Sequence, residues 1–402
     1  MRAGQRLRHL MDRGPVHVHR GRLRTVAAAI DGVLSEGRLA LSALGRAVAV
    51  LLSLMEKHAI KRIDRLLGNR HLWSERMAYF AALAHAVVGD ATEIVVLVDW
   101  TQVCGELHAL AASIPLAGRS VTVYFEVHPK KLDGNRQVQF CFLEQLTHVL
   151  PFGRKVIVVA DMGFGAHWFR QVRKLGWHYL GRLTRSVHVR CPGRKWSRAD
   201  SLWRFARRRR AIDFAWCEVV HGRPLSTRLV LYKGKPKRRK GAKKKNPAGL
   251  HPSMAAYKKC QARNRNPWLL ATSLDLPAED LVAIYAERMQ CEESFRDYKS
   301  RRFGFSLRDV RTDSARRATI LLLIATLAHL LALLAGAAAE SLRIAHTFQA
   351  NTTRNRRVNS LQFLGRRVIR QVQHNRRLAR RIFSYLTNPH GIGFLSEPSV
   401  LP

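Results

Sequence analysis

Two short apolar runs that each end in an aspartate constrain this chain more than any other feature. EIVVLVD (residues 93–99) and KVIVVAD (155–161) each place five consecutive apolar residues before Asp99 and Asp161. Runs this short and this uniformly apolar fit central strands buried on both faces, not amphipathic helices. Between them, HALAASIPLAG and SVTVYFEVHP read as two further strands, with Gly118 and Arg119 turning the chain. NRQVQFCFLEQLTHVL then reads as an amphipathic helix. After Asp161, Gly163 and Gly165 turn the chain into the helix AHWFRQVRKLG, and HYLGRLTR follows as a fifth strand.

Three antiparallel strands followed by β–α–β is the order of an RNase H-like domain, so the expected fold is α/β with a mixed sheet. The rest of the chain is expected to decorate that core. Residues 1–90 carry apolar residues at helical spacing with Arg, Lys and His between them, as in a helical DNA-binding region. Residues 91–185 form the first part of the core. Residues 186–275 read as a β-rich insertion of short strands. It contains the basic run KGKPKRRKGAKKKNPAG, expected to be a loop that grips phosphate. Residues 276–345 return to the core with a long helix from Pro277 to Gly304. Residues 346–402 form a basic helical region suited to DNA contact or dimerisation. The run Ile320–Ala339 is about the ~20 residues that span a bilayer. Its isolation, its alanine content and His329 favour a buried core helix, so no membrane partner is expected.

Charge narrows the partner. The chain has 70 Lys and Arg against 28 Asp and Glu, a formal net charge of +42. Such an excess attracts a polyanion, and neutralising phosphates releases counterions. Nucleic acid is the partner this implies, with an anionic membrane surface or a ribosome as the alternative. Six scattered cysteines with no C-x-x-C pair argue against zinc fingers and a disulfide framework, and for a reducing cytoplasm.

In that setting, carboxylates acquire a chemical meaning. Phosphodiester cleavage needs an activated oxygen nucleophile, a stabilised leaving oxygen and shielding of phosphate charge, all of which a pair of divalent ions supplies. Asp99 and Asp161, on strands expected to be neighbours, repel by roughly 3 kcal/mol at ~5 Å and an effective dielectric of 20, so a cation between them is favoured. The third acid comes from the long helix. Tyr285, Arg288, Glu292 and Lys299 fall within a ~60° sector at 100° per residue. Ile284, Cys291, Phe295 and Tyr298 form an adjoining apolar stripe. Glu293 points ~100° further round, which selects Glu292. A surface ladder explains the pair Arg288 and Glu292, but not the whole strip.

These pieces resemble the DDE transposases of the insertion-sequence-four family, a bacterial cut-and-paste group. The matching segments are VLVDWTQV, VIVVADMGF, PWLLATSL and IYAERMQCEESFRDYKSRRFGFSLRDVRT. The last fits the family's Tyr-x2-Arg-x3-Glu-x6-Lys signature at every position. The resemblance implies that Asp99, Asp161 and Glu292 bind two Mg²⁺ or Mn²⁺ ions and that Tyr285, Arg288 and Lys299 hold backbone phosphate. It also implies that Trp268 stacks a flipped base, the alternative being a core strand residue, and Met289 is placed either to wedge into the vacated stack or simply to pack. It further implies a homodimer that pairs inverted-repeat ends, forms hairpins and joins the ends to target DNA. The rival expectations are a metal-dependent nuclease without strand transfer and a DNA-binding protein whose catalysis has decayed.

Overall fold

The computed structural model describes residues 7, 11, 18–116, 118–234, 266–354, 356–372 and 375–387. The basic run singled out above falls almost wholly outside the described residues. The chain forms two compact units, Met1–Lys155 with Glu287–Pro402, and Val156–Ala286.

Among the described residues, the first unit has four helices ahead of its strands: α1 (Arg20–Glu36), α2 (Leu41–Leu52), α3 (Glu56–Leu67) and α4 (Arg70–Val88). Gly37 closes α1 at φ 71°, a left-handed position that suits glycine. Asn69 caps α4 by accepting from the Leu72 amide at 2.9 Å. An antiparallel meander follows: β1 (Glu93–Cys104), β2 (Leu107–Leu116) and β3 (Arg119–Pro129), with helix α5 (Arg136–Thr147) after it. Asp99 sits opposite Ala111 in this meander. Asp99 does not end its strand, as the apolar run suggests. Trp100–Cys104 continues the ladder with polar residues at Thr101 and Gln102, so pairing outlasts the apolar pattern.

The all-apolar run becomes a helix of 27 residues, labelled α9 below (Ala315–Ser341), buried nearly end to end. By length and composition it is the one helix among the described residues that could cross a membrane, yet 94% of its most apolar window is buried inside the protein. A helix apolar all round must be covered all round. Here the cover is β3, α1, α4 and the helices α10 (Leu361–Val372) and α11 (Arg376–Thr387). Helices α9 and α10 cross at glycines. A Cβ on Gly365 would lie 1.7 Å from the Ala332 carbonyl oxygen, and one on Gly336 would lie 2.1 Å from that of Leu361.

The second unit is a mixed sheet. Strand β4 (Lys155–Ala160) pairs in parallel with β5 (His178–Arg182). Helix α6 (Ala166–Lys174) lies between them in sequence. Strands β6 (His188–Arg190), β7 (Ser197–Arg198), β8 (Ala211–Val219), β9 (Leu225–Tyr232) and β10 (Trp268–Thr272) add on antiparallel, in the order β4-β5-β10-β9-β8-β6-β7. Residues expected in a β-rich insertion thus extend the same sheet. Gly181 of β5 leaves room for Phe169, whose ring stacks on Tyr179 at 4.5 Å.

The long helix expected from Pro277 to Gly304 is two helices, α7 (Ala278–Ala286) and α8 (Met289–Lys299). At the start of α8 the hydrogen bonds tighten to the three-residue type, Gln290 N to Glu287 O and Cys291 N to Arg288 O. Nor does Gly304 cap the helix. It closes the following turn, where a Cβ would lie 1.5 Å from the Asp297 carbonyl oxygen.

Candidate active site

Helix α8 is fixed to the meander by its own side chains. Cys291, Phe295 and Tyr298 are buried. The edge of β3 supplies polar anchors: Ser294 Oγ accepts from the Ser120 amide at 2.8 Å and donates to the Ser120 carbonyl at 2.9 Å. Gln290 Oε1 accepts from the Leu116 amide at 3.1 Å. Arg119 pairs with Asp297 at 2.7 Å. Burial still pushes the Asp297 carboxyl above the usual carboxylate range, although Arg119 opposes it.

This anchoring brings α8 onto β1. Arg288, only 8% exposed, donates from Nη1 to Asp99 Oδ2 at 3.1 Å and from Nη2 to Glu292 Oε1 at 2.8 Å. Two carboxylates nearly two hundred positions apart in sequence therefore converge on one guanidinium. The fork of an arginine suits such double pairing. Glu293, the alternative acid, turns away and pairs with Arg296 at 2.6 Å. Lys299 donates to Thr101 Oγ1 at 2.7 Å. Thr101 lies two residues after Asp99 on one face of β1, a contact the sequence reading missed and that strand alternation could have flagged. Burial, and then the nearby Arg308 charge, lowers the Lys299 ammonium to about 8, against the pull of Asp99. Met289 is half-buried at the first position of α8.

In the second unit, Asp161 directly follows β4, as its apolar run implies. Tyr285 of α7 is buried and donates from its hydroxyl to Asp161 Oδ1 at 3.3 Å. Its ring stands edge-on to Trp268 at 5.0 Å. The helical-strip argument therefore holds along α8 for Arg288, Glu292 and Lys299, while Tyr285 belongs to a separate helix.

Among the described residues no three His, Cys, Asp or Glu side chains are grouped as a ready metal cage. The free cysteines among the described residues are Cys104, Cys141, Cys191, Cys217 and Cys291.

An RNase H-like α/β fold with Asp99 bonded to an arginine and Asp161 to a tyrosine defines the class, a nucleic-acid-processing fold. More particularly, a family model described as the transposase DDE domain matches residues 91–331, more than half of the chain, and the chain belongs to that family. No curated protein matches the chain.

Proposed function

We propose that this DDE transposase acts by divalent-metal-dependent cleavage, hairpin formation and strand transfer at the ends of an insertion sequence, as in the insertion-sequence-four group. In this reading Asp99, Asp161 and Glu292 are the acidic triad. The observation that carries it is the convergence of Asp99 and Glu292 on Arg288. The donor chemistry fits the group it would hold: carboxylate oxygens are hard ligands suited to Mg²⁺ or Mn²⁺, and two of the acids already share one cationic partner. Two such ions would supply Lewis-acid charge to the attacking and leaving oxygens.

The remaining residues position DNA. Arg288 and Lys299 hold backbone phosphate beside the scissile bond, where a guanidinium fork and an ammonium both suit phosphate oxygens. Tyr285 orients Asp161 through its hydroxyl and, with Arg288 and Lys299, holds that phosphate. Trp268 stacks a base flipped from the duplex, worth roughly 1–3 kcal/mol. Met289 fills the gap that base leaves. Water frees a 3′-hydroxyl at the element end. That hydroxyl closes a hairpin with the opposite strand, a second water reopens it, and the end joins target DNA. Residues 1–90, the basic loop and residues 346–402 recognise and pair inverted-repeat ends in a homodimer. The setting is the bacterial cytoplasm, on the nucleoid.

The test is incubation of the protein with the DNA flanking its own gene in Mg²⁺. Hairpin ends are expected. Open double-strand breaks without hairpins or joining point to the rival nuclease. No cleavage, with intact DNA binding, points to a decayed copy.

A further inference from the structure

The turn after α8 and helix α10 line a pocket of about 310 Å³. Its lining is Arg302, Phe303, Phe363, Arg366, Arg367 and Arg370, with no acid among them. It shares no residue with the site at Asp99, Arg288 and Glu292.

We propose that this pocket is a second nucleic-acid site, taking one phosphodiester with its adjoining base from unpaired, single-stranded DNA. The proposal rests on the DNA-processing reading above but not on the acidic triad.

The case begins with Arg366. It is 8% exposed, and its Nη1 donates to the Gly304 carbonyl at 2.7 Å. Its Nε is buried without a hydrogen-bond partner. A buried donor left open in this way is costly unless an acceptor arrives. Burial and the neighbouring Arg370 charge also lower the Arg366 guanidinium to about 10, against the weaker pull of Asp297. Space for this side chain is reserved by Gly37, where a Cβ would lie 1.8 Å from Nη2.

Around this fixed cation stand exposed ones, Arg302, Arg367 and Arg370. An anion is the ligand such a set lacks. A free phosphate would leave the aromatic rings unused. Phe303 is 46% exposed, which is unusual for so large an apolar ring in this protein. It stands edge-on to Phe363 at 5.5 Å and carries the Arg302 guanidinium over its face at 5.0 Å. Cations beside a part-exposed aromatic ring match a nucleotide whose base is free to stack. A paired base offers only its edge, so the site favours single strands, such as the frayed or displaced strand near a cut end.

The experiment uses the full-length protein in EDTA, so it reads binding whether or not the acids cleave. A labelled oligothymidine is titrated by fluorescence anisotropy. Phe303→Ala is expected to weaken single-strand binding about tenfold, in the range of one lost base stack. It should leave duplex binding within about threefold. Arg370→Glu is expected to weaken single-strand binding much more than Arg381→Glu, the same charge change on an exposed residue of α11 outside the pocket. In a third variant, Phe303→Trp, oligothymidine should quench the new tryptophan. Single-strand affinity unchanged by Phe303→Ala, equal losses for the two charge reversals, or no quenching in Phe303→Trp would each overturn the proposal. Loss of cleavage in Asp161→Ala with single-strand binding intact would leave it standing.

Discussion

Arg288 can be removed to ask what it holds together. In Arg288→Ala, Asp99 and Glu292 lose a shared cation. The Arg288–Asp99 bond at 3.1 Å involves an Asp99 side chain 23% exposed, so a charge-assisted bond there is worth about 1.5–3 kcal/mol. The Glu292 side chain is 43% exposed, and solvent screening cuts its share to under about 1 kcal/mol. Freed of the guanidinium, the two acids also repel. The expected loss in EDTA is therefore about 2–4 kcal/mol, read by thermal or urea unfolding followed by circular dichroism. If the acids bind divalent ions, Mg²⁺ should restore part of this loss, because a ligand bound only by the native state stabilises it by about 1.4 kcal/mol at ten times its Kd. The wild type, in which Arg288 competes for the same oxygens, should gain less. A loss below about 0.5 kcal/mol, or equal Mg²⁺ gains in both proteins, refutes the reasoning.

Two further outcomes follow from buried basic groups. His329 is fully buried beside Tyr298 and its pKa is lowered to about 3, so it stays neutral in the native state, whereas the unfolded chain binds a proton below about 6.5. Stability should then fall as pH drops, by about 2 kcal/mol from this group between pH 6.5 and 5, and His329→Leu should flatten that slope in acid melts. Lys299, lowered to about 8, is charged below that pH and neutral above it. Phosphate-dependent DNA affinity should weaken by up to about tenfold between pH 7 and 9 in the wild type, and Lys299→Arg, whose charge persists, should show little change over that range in filter binding.

How much of this could be read in advance depends on which physical signal each element leaves in the sequence. Buried strands announce themselves: the runs before Asp99 and Asp161 became β1 and β4, and the uniformly apolar run at 320–339 became the core helix α9. The helical angle sets Glu292 apart from Glu293, and the two acids do take different partners, Arg288 and Arg296. The break between α7 and α8 was not legible. No Gly or Pro marks it, and the backbone at Arg288 stays in the helical region while the hydrogen bonds shorten their span. The extension of β1 past Asp99 was equally hidden, because Thr101 and Gln102 are held by cross-strand pairing that an apolar count does not register. Arg288 was foreseen as a phosphate ligand. Its present role as the shared partner of two acids depends on β1 lying beneath α8, a tertiary fact that helical spacing does not contain.

Strand transfer with precut element ends tests the central claim most directly. In Mg²⁺ the wild type should join the 3′ ends to a target plasmid, while Asp99→Asn, Asp161→Asn and Glu292→Gln should each bind those ends normally yet form no joined product. Joining by any of the three at the wild-type rate would contradict the account.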